Sequence, residues 1–295
     1  MKVIHHIEDL RDVLADVQRP AFIPTMGNLH RGHLSLIRRA AGLGDCTVTS
    51  IFVNRLQFLP HEDFDRYPRT WEADCAALES VGCDVLFAPR EADLYPQPQT
   101  FRIRPDPDLG DILEGHFRPG FFEGVSTVVM KLLMCVFFGK REGVAVFGLK
   151  DYQQFLIVKR LVRQFALPIE VVGGAIERDE DGLALSSRNA YLSVSDRQRA
   201  SLLYQCLSSV VKRFRIEQPS RRLDPNNEAD QLHFRTYVES LEAEASQALS
   251  SAGWLVDYVC LRRQDTLQVP GIGDPLIVLG AARLGTTRLI DNLEC

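Results

Sequence analysis

Residues 21–33 read AFIPTMGNLHRGH, so an apolar run, a glycine-bearing turn and two histidines form one continuous stretch. The run Ala21 to Ile23 predicts a buried strand. After His33, apolar residues recur at spacings of three and four up to Gly42, which predicts a helix. A strand that passes through such a turn into a helix directs free backbone N–H groups and the positive end of the helix dipole at one point. The stretch therefore predicts a phosphate site and, with it, a nucleotide ligand.

His30 and His33 are the two imidazoles of this stretch. Near the first turn of the predicted helix they share a face, so both rings can reach one bound group. An imidazole donates a hydrogen bond to a phosphate oxygen, and its proton is transferable near neutral pH. The alternative is that His30 only caps the helix and that His33 is only exposed to solvent.

The composition is that of a globular protein with room for two domains. The 295 residues include 34 Lys plus Arg against 39 Asp plus Glu, which gives a formal charge of −5. This balance disfavours a general nucleic-acid binder, because phosphate backbones require a basic footprint. We therefore expect no nucleic-acid partner.

Cysteine usage and hydropathy predict a cytoplasmic protein. The seven cysteines are odd in number and include no CxxC pair, which is typical of reduced thiols rather than of disulfides or a zinc site. The N-terminus is too polar for a signal peptide. The longest apolar stretch, Val125 to Phe138, is interrupted by Lys131 and is too short to span a bilayer. We expect no membrane contact.

Short apolar runs alternate with longer periodic segments up to about residue 176. Strands are predicted near 21–25, 46–53, 84–88, 143–147 and 169–173, with helices near 33–43, 70–81, 124–138 and 151–166. This alternation is typical of an α/β fold, here a Rossmann-like parallel sheet with helices on both faces. Beyond it, helices near 195–213 and 227–251 precede strands near 254–261, 276–279 and 286–290. We therefore predict a first domain at 1–176, a smaller α+β C-terminal domain with an antiparallel sheet at 177–295, and a mobile surface loop at 213–227.

Polar residues follow two further strands of the predicted sheet, where ligands bind in open α/β sheets. Asn54 and Gln57 are two amides that donate and accept, which suits a substrate with hydroxyls and a carboxylate; the alternative is an ordinary turn. After the strand that ends near Gly148, Lys150 can meet phosphate charge, and Asp151 can cap a helix or bind a ribose hydroxyl. The alternative there is a capping aspartate with an exposed lysine.

Two loops complete the candidate set. Residues 181–189 form a hydroxyl-rich loop in which Ser186, Ser187 and Arg188 suit a polyphosphate whose leaving group gains charge. Its alternative is a helix cap with a surface arginine. The loop at 117–127, punctuated by Gly and Pro, offers Arg118, and we interpret it as structural.

Taken in order, these segments closely resemble the pantothenate synthetase family, also called the pantoate-β-alanine ligases. The motifs are PTMGNLHRGH at 24–33, SIFVNRLQF at 50–58, RYPRT at 66–70, FGLKDYQQ at 147–154 and DGLALSSRN at 181–189, with a weaker continuation in RLIDN at 288–292. The HxGH element alone resembles only the broader superfamily of class I adenylate-forming synthetases and nucleotidylyltransferases.

The resemblance implies an ATP-dependent condensation of (R)-pantoate with β-alanine. Pantoate attacks the α-phosphorus of ATP to give pantoyl adenylate and pyrophosphate, and the amine of β-alanine then displaces AMP to give pantothenate. A magnesium ion bridges the phosphates, and no protein ligand is assigned to the metal. The resemblance also implies a homodimer, and we expect the second domain to close over the cleft as a lid.

The resemblance further implies roles for individual residues. His33 takes the family's proton-donor position and His30 assists it, with Lys150 and Arg188 as further catalytic residues that neutralise phosphate charge. The substrate-binding residues are Gln57, Gln154 and Asn54. The ATP-binding residues are Met26, Gly27, Asn28, Leu29, His30, Arg31, Gly32, His33, Gly148, Leu149, Lys150, Asp151, Glu177, Leu185, Ser186, Ser187 and Arg188. Among them, Glu177 offers its backbone to the adenine.

Three positions depart from the family pattern. Leu149 replaces the usual Glu, Arg55 replaces the Pro before the substrate glutamine, and Phe121 stands where His is common. Loss of an acidic group beside Lys150 changes the local field, and loss of the proline loosens the turn that orients Gln57. We predict an active enzyme. The alternatives are a different nucleotidylyltransferase, which need not retain the two substrate glutamines, and a catalytically impaired nucleotide-binding homologue.

Overall fold

The computed structural model of the protein describes residues 1–60, 62–217 and 223–295. Within them the chain divides into two compact units, Met1–Glu177 and Arg178–Cys295. The first contains a six-stranded parallel sheet and the second a three-stranded antiparallel sheet. The predicted fold class is therefore confirmed. The roles assigned to the two domains, nucleotide binding and lid, stay predictions.

The sheet of the first unit has β2 near its middle. Its strands are β1 (Lys2–Ile4), β2 (Pro20–Thr25), β3 (Cys46–Ile51), β4 (Val85–Phe87), β5 (Val144–Gly148) and β6 (Glu170–Gly174), in the order β1-β4-β3-β2-β5-β6. After β2 the chain adds β3 and β4 on one side and later β5 and β6 on the other. Such a reversal of strand order opens a crevice at the carboxyl ends of the strands, where ligands bind.

Helices cover both faces of this sheet. They are α1 (Ile7–Val13), α2 (Arg31–Ala41), α3 (Trp71–Ser80), α4 (Glu91–Leu94), α5 (Pro107–Gly110), α6 (Glu114–Phe117), α7 (Phe121–Val136) and α8 (Tyr152–Gln164). Successive residues of a strand point to opposite faces. Ala21 and Ile23 accordingly share a buried cluster with Ile37 of α2. Phe22, on the other face, meets Phe137 at the end of α7 edge to face, with ring centroids 6.3 Å apart.

The second unit has its own core. Its helices are α9 (Val194–Arg199), α10 (Leu202–Glu217) and α11 (Glu228–Ser251), and its strands are β7 (Leu255–Arg263), β8 (Leu276–Leu284) and β9 (Thr287–Glu294). β8 is the central strand and pairs antiparallel with both neighbours. Leu207 of α10, Phe234 of α11 and Val278 of β8 are buried in one cluster, so both long helices pack on the sheet.

Several local features differ from the sequence predictions. The short edge strand β1 and the helices α4 to α6 were not predicted, because elements of three or four residues show no measurable periodicity. The predicted helix at 195–213 is two helices, separated by Ala200 and Ser201, which are both buried. The helix α10 continues to Glu217, so the predicted loop is wrong for residues 213–217. Residues 218–222 of that predicted loop lie outside the described residues.

The state of the cysteines and the hydropathy of the helices bear on the predicted cytoplasmic location. All seven cysteines are free, and four of them are buried. Across residues 1–60, 62–217 and 223–295, none of the helices has the length and apolar character needed to cross a membrane.

Candidate active site

Three of the predicted constellations meet at one edge of the parallel sheet. The turn at residues 26–30 follows β2, Asn54 and Gln57 follow β3, and residues 149–154 follow β5. Since β3 and β5 are the two neighbours of β2, their carboxyl ends flank the turn on either side. Tertiary structure thus brings together side chains that are far apart in sequence.

A buried aspartate on α3 holds the turn after β2. Asp74 is 3% exposed, and its carboxylate accepts the backbone N–H groups of Asn28 at 2.9 Å and Leu29 at 2.7 Å. The hydroxyl of Thr70 donates to the same carboxylate at 3.1 Å. Gly27 and Asn28 both have positive φ, +81° and +49°. An asparagine adopts this left-handed conformation when its surroundings stabilise it, and Asp74 supplies that stabilisation.

His30 and His33 cap the N-terminus of α2 reciprocally. The Nδ1 atom of His30 accepts the N–H of Gly32 at 3.2 Å, and the Nδ1 atom of His33 accepts the N–H of His30 at 3.3 Å. The two ring centroids are 4.0 Å apart. Because each Nδ1 is an acceptor, the proton of each neutral ring lies on Nε2, which is then a donor. His30 therefore does cap the helix, and the same contacts leave both rings in the tautomer that an anion requires.

Both rings are neutral at pH 7. Burial and then the charge of Lys150 lower the pKa of His30 from 6.5 to about 4, against an opposing effect of Asp151. Burial, then the neighbouring His30, then Lys150 lower the pKa of His33 from 6.5 to about 3. These effects disfavour further positive charge at the histidine pair. A bound anion would act in the opposite direction and raise both pKa values.

The segment after β5 presents a largely buried lysine. Lys150 has a side chain only 19% exposed, with Nζ 3.5 Å from Oδ2 of Asp151. Asp151 makes no side-chain cap on α8, so the alternative of a capping aspartate with an exposed lysine is wrong. Gln154 lies half-buried on the first turn of that helix. Leu149 packs on Gly173 of β6, where an added Cβ would lie 2.6 Å from Cδ2 of the leucine.

The other two departures from the family pattern each take part in a contact between a guanidinium and an aromatic ring. The guanidinium of Arg55 lies 3.9 Å from the ring centroid of Phe64. Phe121 receives the guanidinium of Arg118 at 3.7 Å. Arg118 also forms a half-buried ion pair with Glu62, with Nε 2.6 Å from Oε1. These contacts tie the loop around Gln57 to the start of α7 and agree with the structural interpretation of the loop at 117–127.

Asn54 supports Gln57 rather than facing the cleft. Its side chain is 1% exposed, and its Nδ2 donates to Oε1 of Gln57 and to the carbonyl of Gly124, both at 3.2 Å. The hydroxyl of Tyr95 donates to its Oδ1 at 3.1 Å. The protein thus satisfies the whole Asn54 amide, which favours a supporting place over direct substrate contact. Gln57 is half-buried, and its Nε2 lies 3.1 Å from Sδ of Met26.

The loop at 185–188 belongs to the second unit. The hydroxyl of Ser186 accepts the N–H of Arg188 at 3.3 Å and caps the following 3₁₀ helix, which agrees with the cap of the alternative interpretation, whereas Arg188 is half-buried rather than on the surface. Just upstream, Arg178 forms a bidentate pair with the buried carboxylate of Asp291, at 2.6 and 2.9 Å. This pair ties the segment that precedes the loop to β9. The predicted contacts of Leu185, Ser186, Ser187 and Arg188 with nucleotide stay predictions.

Two remaining ligand predictions concern adenine and magnesium. Glu177 lies beside the start of α2, since its Cβ is 3.6 Å from the position that a Cβ on Gly32 would take. The predicted contact of its backbone with adenine stays a prediction. In the part of the chain that the structure describes, no group of three or more His, Cys, Asp or Glu residues is arranged to hold a metal ion.

Three residues of the site region were missed by sequence reasoning. Asp74 is a buried acidic residue on the packed face of a helix. The sequence did contain a signal for it, because this charged residue stands between the apolar residues Ala73 and Cys75. Tyr95 and Arg178 carry no comparable local signal. Their partners lie 41 and 113 residues away in the chain.

Comparisons with known proteins address the whole chain. The profile of the family described as pantoate-β-alanine ligase matches residues 2–294. This chain belongs to the pantoate-β-alanine ligase family. Curated relatives named pantothenate synthetase, from Verminephrobacter eiseniae and Paracidovorax citrulli, are 57% and 56% identical over 297 and 299 residues, with 100% of both chains covered.

Solved structures of pantoate-β-alanine ligases share the fold. Pantothenate synthetase from Thermus thermophilus superposes with a TM-score of 0.85 at 38% identity, covering 100% of this chain and 99% of its own. The Francisella tularensis ligase, complexed with beta-gamma ATP and β-alanine, gives a TM-score of 0.77 at 32% identity, covering 100% and 97%. The predicted family and enzyme class are confirmed, and the individual residue roles stay predictions.

Proposed function

We propose that this chain condenses (R)-pantoate with β-alanine in an ATP-dependent reaction through a pantoyl adenylate. The observation that carries the proposal is the histidine pair at the carboxyl end of β2, neutral and with both Nε2 atoms protonated, next to the largely buried Lys150. Family membership and the ATP-complexed relative support the same reaction.

In the first step, a carboxylate oxygen of pantoate attacks the α-phosphorus of ATP and pyrophosphate leaves with the bond electrons. No covalent enzyme nucleophile is needed, so positioning and charge neutralisation supply the acceleration. The Nε2–H groups of His30 and His33 donate to phosphate oxygens, and these hydrogen bonds strengthen as the departing oxygens gain charge. Lys150, and in this proposal Arg188, neutralise the same charge.

In the second step, the amine of β-alanine attacks the acyl carbon of the adenylate. The amide bond forms, the acyl–oxygen bond breaks, AMP leaves with the bond electrons, and the nitrogen loses one proton to solvent. Gln57 and Gln154 hold the pantoyl group for this attack. Water must be excluded, because it hydrolyses the adenylate, and we assign that task to the second unit as a lid.

Magnesium, dimerisation and cellular location belong to the same proposal. A magnesium ion, which commonly binds through substrate phosphates and water, would be held by the ATP phosphates in this proposal. The ion supplies charge neutralisation on the phosphates. We propose a homodimer from the family resemblance. The free cysteines support a cytoplasmic location.

Exchange of labelled pyrophosphate into ATP tests the proposal. We expect exchange that depends on pantoate, and loss of most of it in His33→Ala. His233→Ala is the matched control, because His233 is an exposed histidine of α11. Exchange with another acid or phosphate instead of pantoate would indicate a different nucleotidylyltransferase. ATP binding without any exchange would indicate an impaired homologue.

A further inference from the structure

We infer that Tyr95 is a positioning residue that acts through Asn54 to fix the orientation of the Gln57 amide, so that Gln57 meets the hydroxy acid as a hydrogen-bond donor. This inference rests on the proposed function. It concerns a residue that lies 38 positions beyond Gln57, on the short segment after α4.

One chain of hydrogen bonds links the four side chains involved. The Tyr95 hydroxyl donates to Oδ1 of Asn54 at 3.1 Å, and Nδ2 of Asn54 donates to Oε1 of Gln57 at 3.2 Å. Nε2 of Gln57 then points to Sδ of Met26 at 3.1 Å. Met26 belongs to the turn that precedes the histidine pair, so the chain ends at the proposed site.

Two neighbouring groups determine the orientation of the Asn54 amide. The carbonyl of Gly124 accepts from Nδ2 of Asn54 at 3.2 Å, and a carbonyl has no proton to offer a reversed amide. The Tyr95 hydroxyl satisfies Oδ1, which is otherwise a buried acceptor without a partner. Burial raises the pKa of Tyr95 well above its usual value, so the hydroxyl keeps its proton and stays a donor.

The orientation of Asn54 decides what Gln57 presents. Because Oε1 of Gln57 already accepts from Asn54, the group left toward Met26 is the NH₂, with two donors and no acceptor. A thioether sulfur is a weak acceptor. A hydroxyl or carboxylate oxygen of the substrate therefore replaces the sulfur at Nε2 with little loss.

The ring of Tyr95 is held independently of its hydroxyl. It meets Phe52 edge to face at 5.8 Å between centroids, and the ammonium of Lys131 lies 4.7 Å from its centroid. Lys131 in turn donates to Oε1 of Gln99 at 3.0 Å. Tyr95→Phe therefore keeps the packing of the ring and removes one O–H donor.

The test is steady-state kinetics of pantoate-dependent pyrophosphate exchange with Tyr95→Phe. Loss of one buried hydrogen bond predicts a rise of about fivefold to tenfold in KM for pantoate. We expect KM for ATP to match the wild-type value, whereas the midpoint of thermal unfolding falls, because the buried Oδ1 of Asn54 loses its partner. Tyr237→Phe, a tyrosine of α11 in the second unit, is the matched control and is expected to change neither KM. Unchanged KM for pantoate in Tyr95→Phe, or an equal rise in both KM values, overturns the inference.

A double-mutant cycle with Gln57→Glu separates positioning from general support. A carboxylate has two equivalent oxygens and no N–H donor, so turning it over does not change which group it presents to the substrate. We therefore expect Tyr95→Phe to cause no further loss of kcat/KM for pantoate on the Gln57→Glu background. Additive losses refute action through Gln57. If the wild type shows no pantoate-dependent exchange at all, the proposed function fails. If the wild type shows this exchange and Tyr95→Phe has the same KM for pantoate, only the inference about Tyr95 fails.

Discussion

Asp74→Asn tests whether one buried carboxylate holds the turn that carries the histidine pair. In the wild type this carboxylate accepts the N–H groups of Asn28 and Leu29, and each of its oxygens serves one of them. Asparagine keeps one acceptor oxygen and places an NH₂ group against the other N–H. One charge-assisted hydrogen bond is lost and a buried donor faces a donor, for which we expect a loss of about 2 kcal/mol in unfolding free energy.

The catalytic consequence follows from the position of His30, one residue beyond Leu29. A shift of the turn displaces the capping histidine from the phosphate, and a displacement on the order of 1 Å can cost about 100-fold in rate. We expect kcat/KM for ATP to fall by about 10-fold to 100-fold in pyrophosphate exchange, with urea denaturation reporting the loss of stability.

Asp84→Asn is the control for this experiment. The carboxylate of Asp84 also accepts from a backbone N–H and a hydroxyl, both of Thr47, at 2.8 and 2.7 Å. These residues lie at the amino-terminal edge of the sheet, away from the turn. We expect reduced stability with unchanged ATP kinetics. Wild-type kcat/KM for ATP in Asp74→Asn, or an equal kinetic loss in the control, would falsify the positioning argument.

Three further outcomes follow from the structure. Folding lowers the pKa of His33 from 6.5 to about 3, so between these values the unfolded chain binds a proton that the folded chain does not. The free energy of unfolding therefore falls as pH drops below about 6.5. In urea denaturation, we expect this decrease with falling pH to be smaller for His33→Gln. Gly124→Ala places a Cβ 2.1 Å from the carbonyl oxygen of Leu56, next to Gln57, so we expect a loss of about 1–3 kcal/mol in stability and a raised KM for pantoate. Gly42→Ala is the control and is expected to be near neutral, because its Cβ would lie 3.9 Å from the nearest atom. Arg178→Ala leaves the carboxylate of Asp291, whose side chain is 3% exposed, without its bidentate partner. We expect about 3–5 kcal/mol less stability of the second unit by calorimetry, and an unchanged transition refutes this expectation.

Local patterns were sufficient for the main elements of the fold. The runs at 21–25 and 143–147 and the periodic segments at 33–43 and 151–166 match β2, β5, α2 and α8 to within two residues at each end. Hydrophobic periodicity indicates which face of an element is buried, and in an element of this length the pattern can be recognised from the residues of that element alone. The strand β1 was missed because three residues, with Val3 40% exposed, present no such face.

In the candidate site, too, some residues were predictable from local sequence patterns and others were not. The residues that we propose bind phosphate, such as His30, His33 and Lys150, lie in motifs whose residue types and spacing favour that chemistry. The residues that orient them do not. Asp74 lies 46 positions from Asn28, and its residue type is common on helices.

The sequence by itself determined the order of the longer strands and helices, the strand–turn–helix with its two histidines, and the family, because each depends on residues close together in the chain. Only the tertiary structure decided which ring nitrogens carry protons, that Tyr95 and Gln57 both bond to Asn54, and that Asp74 holds the turn before the histidine pair. The physical reason is that a hydrogen bond is made by atoms within about 3 Å of each other in space. The chain brings those atoms together only when the sheet places the ends of β2, β3 and β5 side by side.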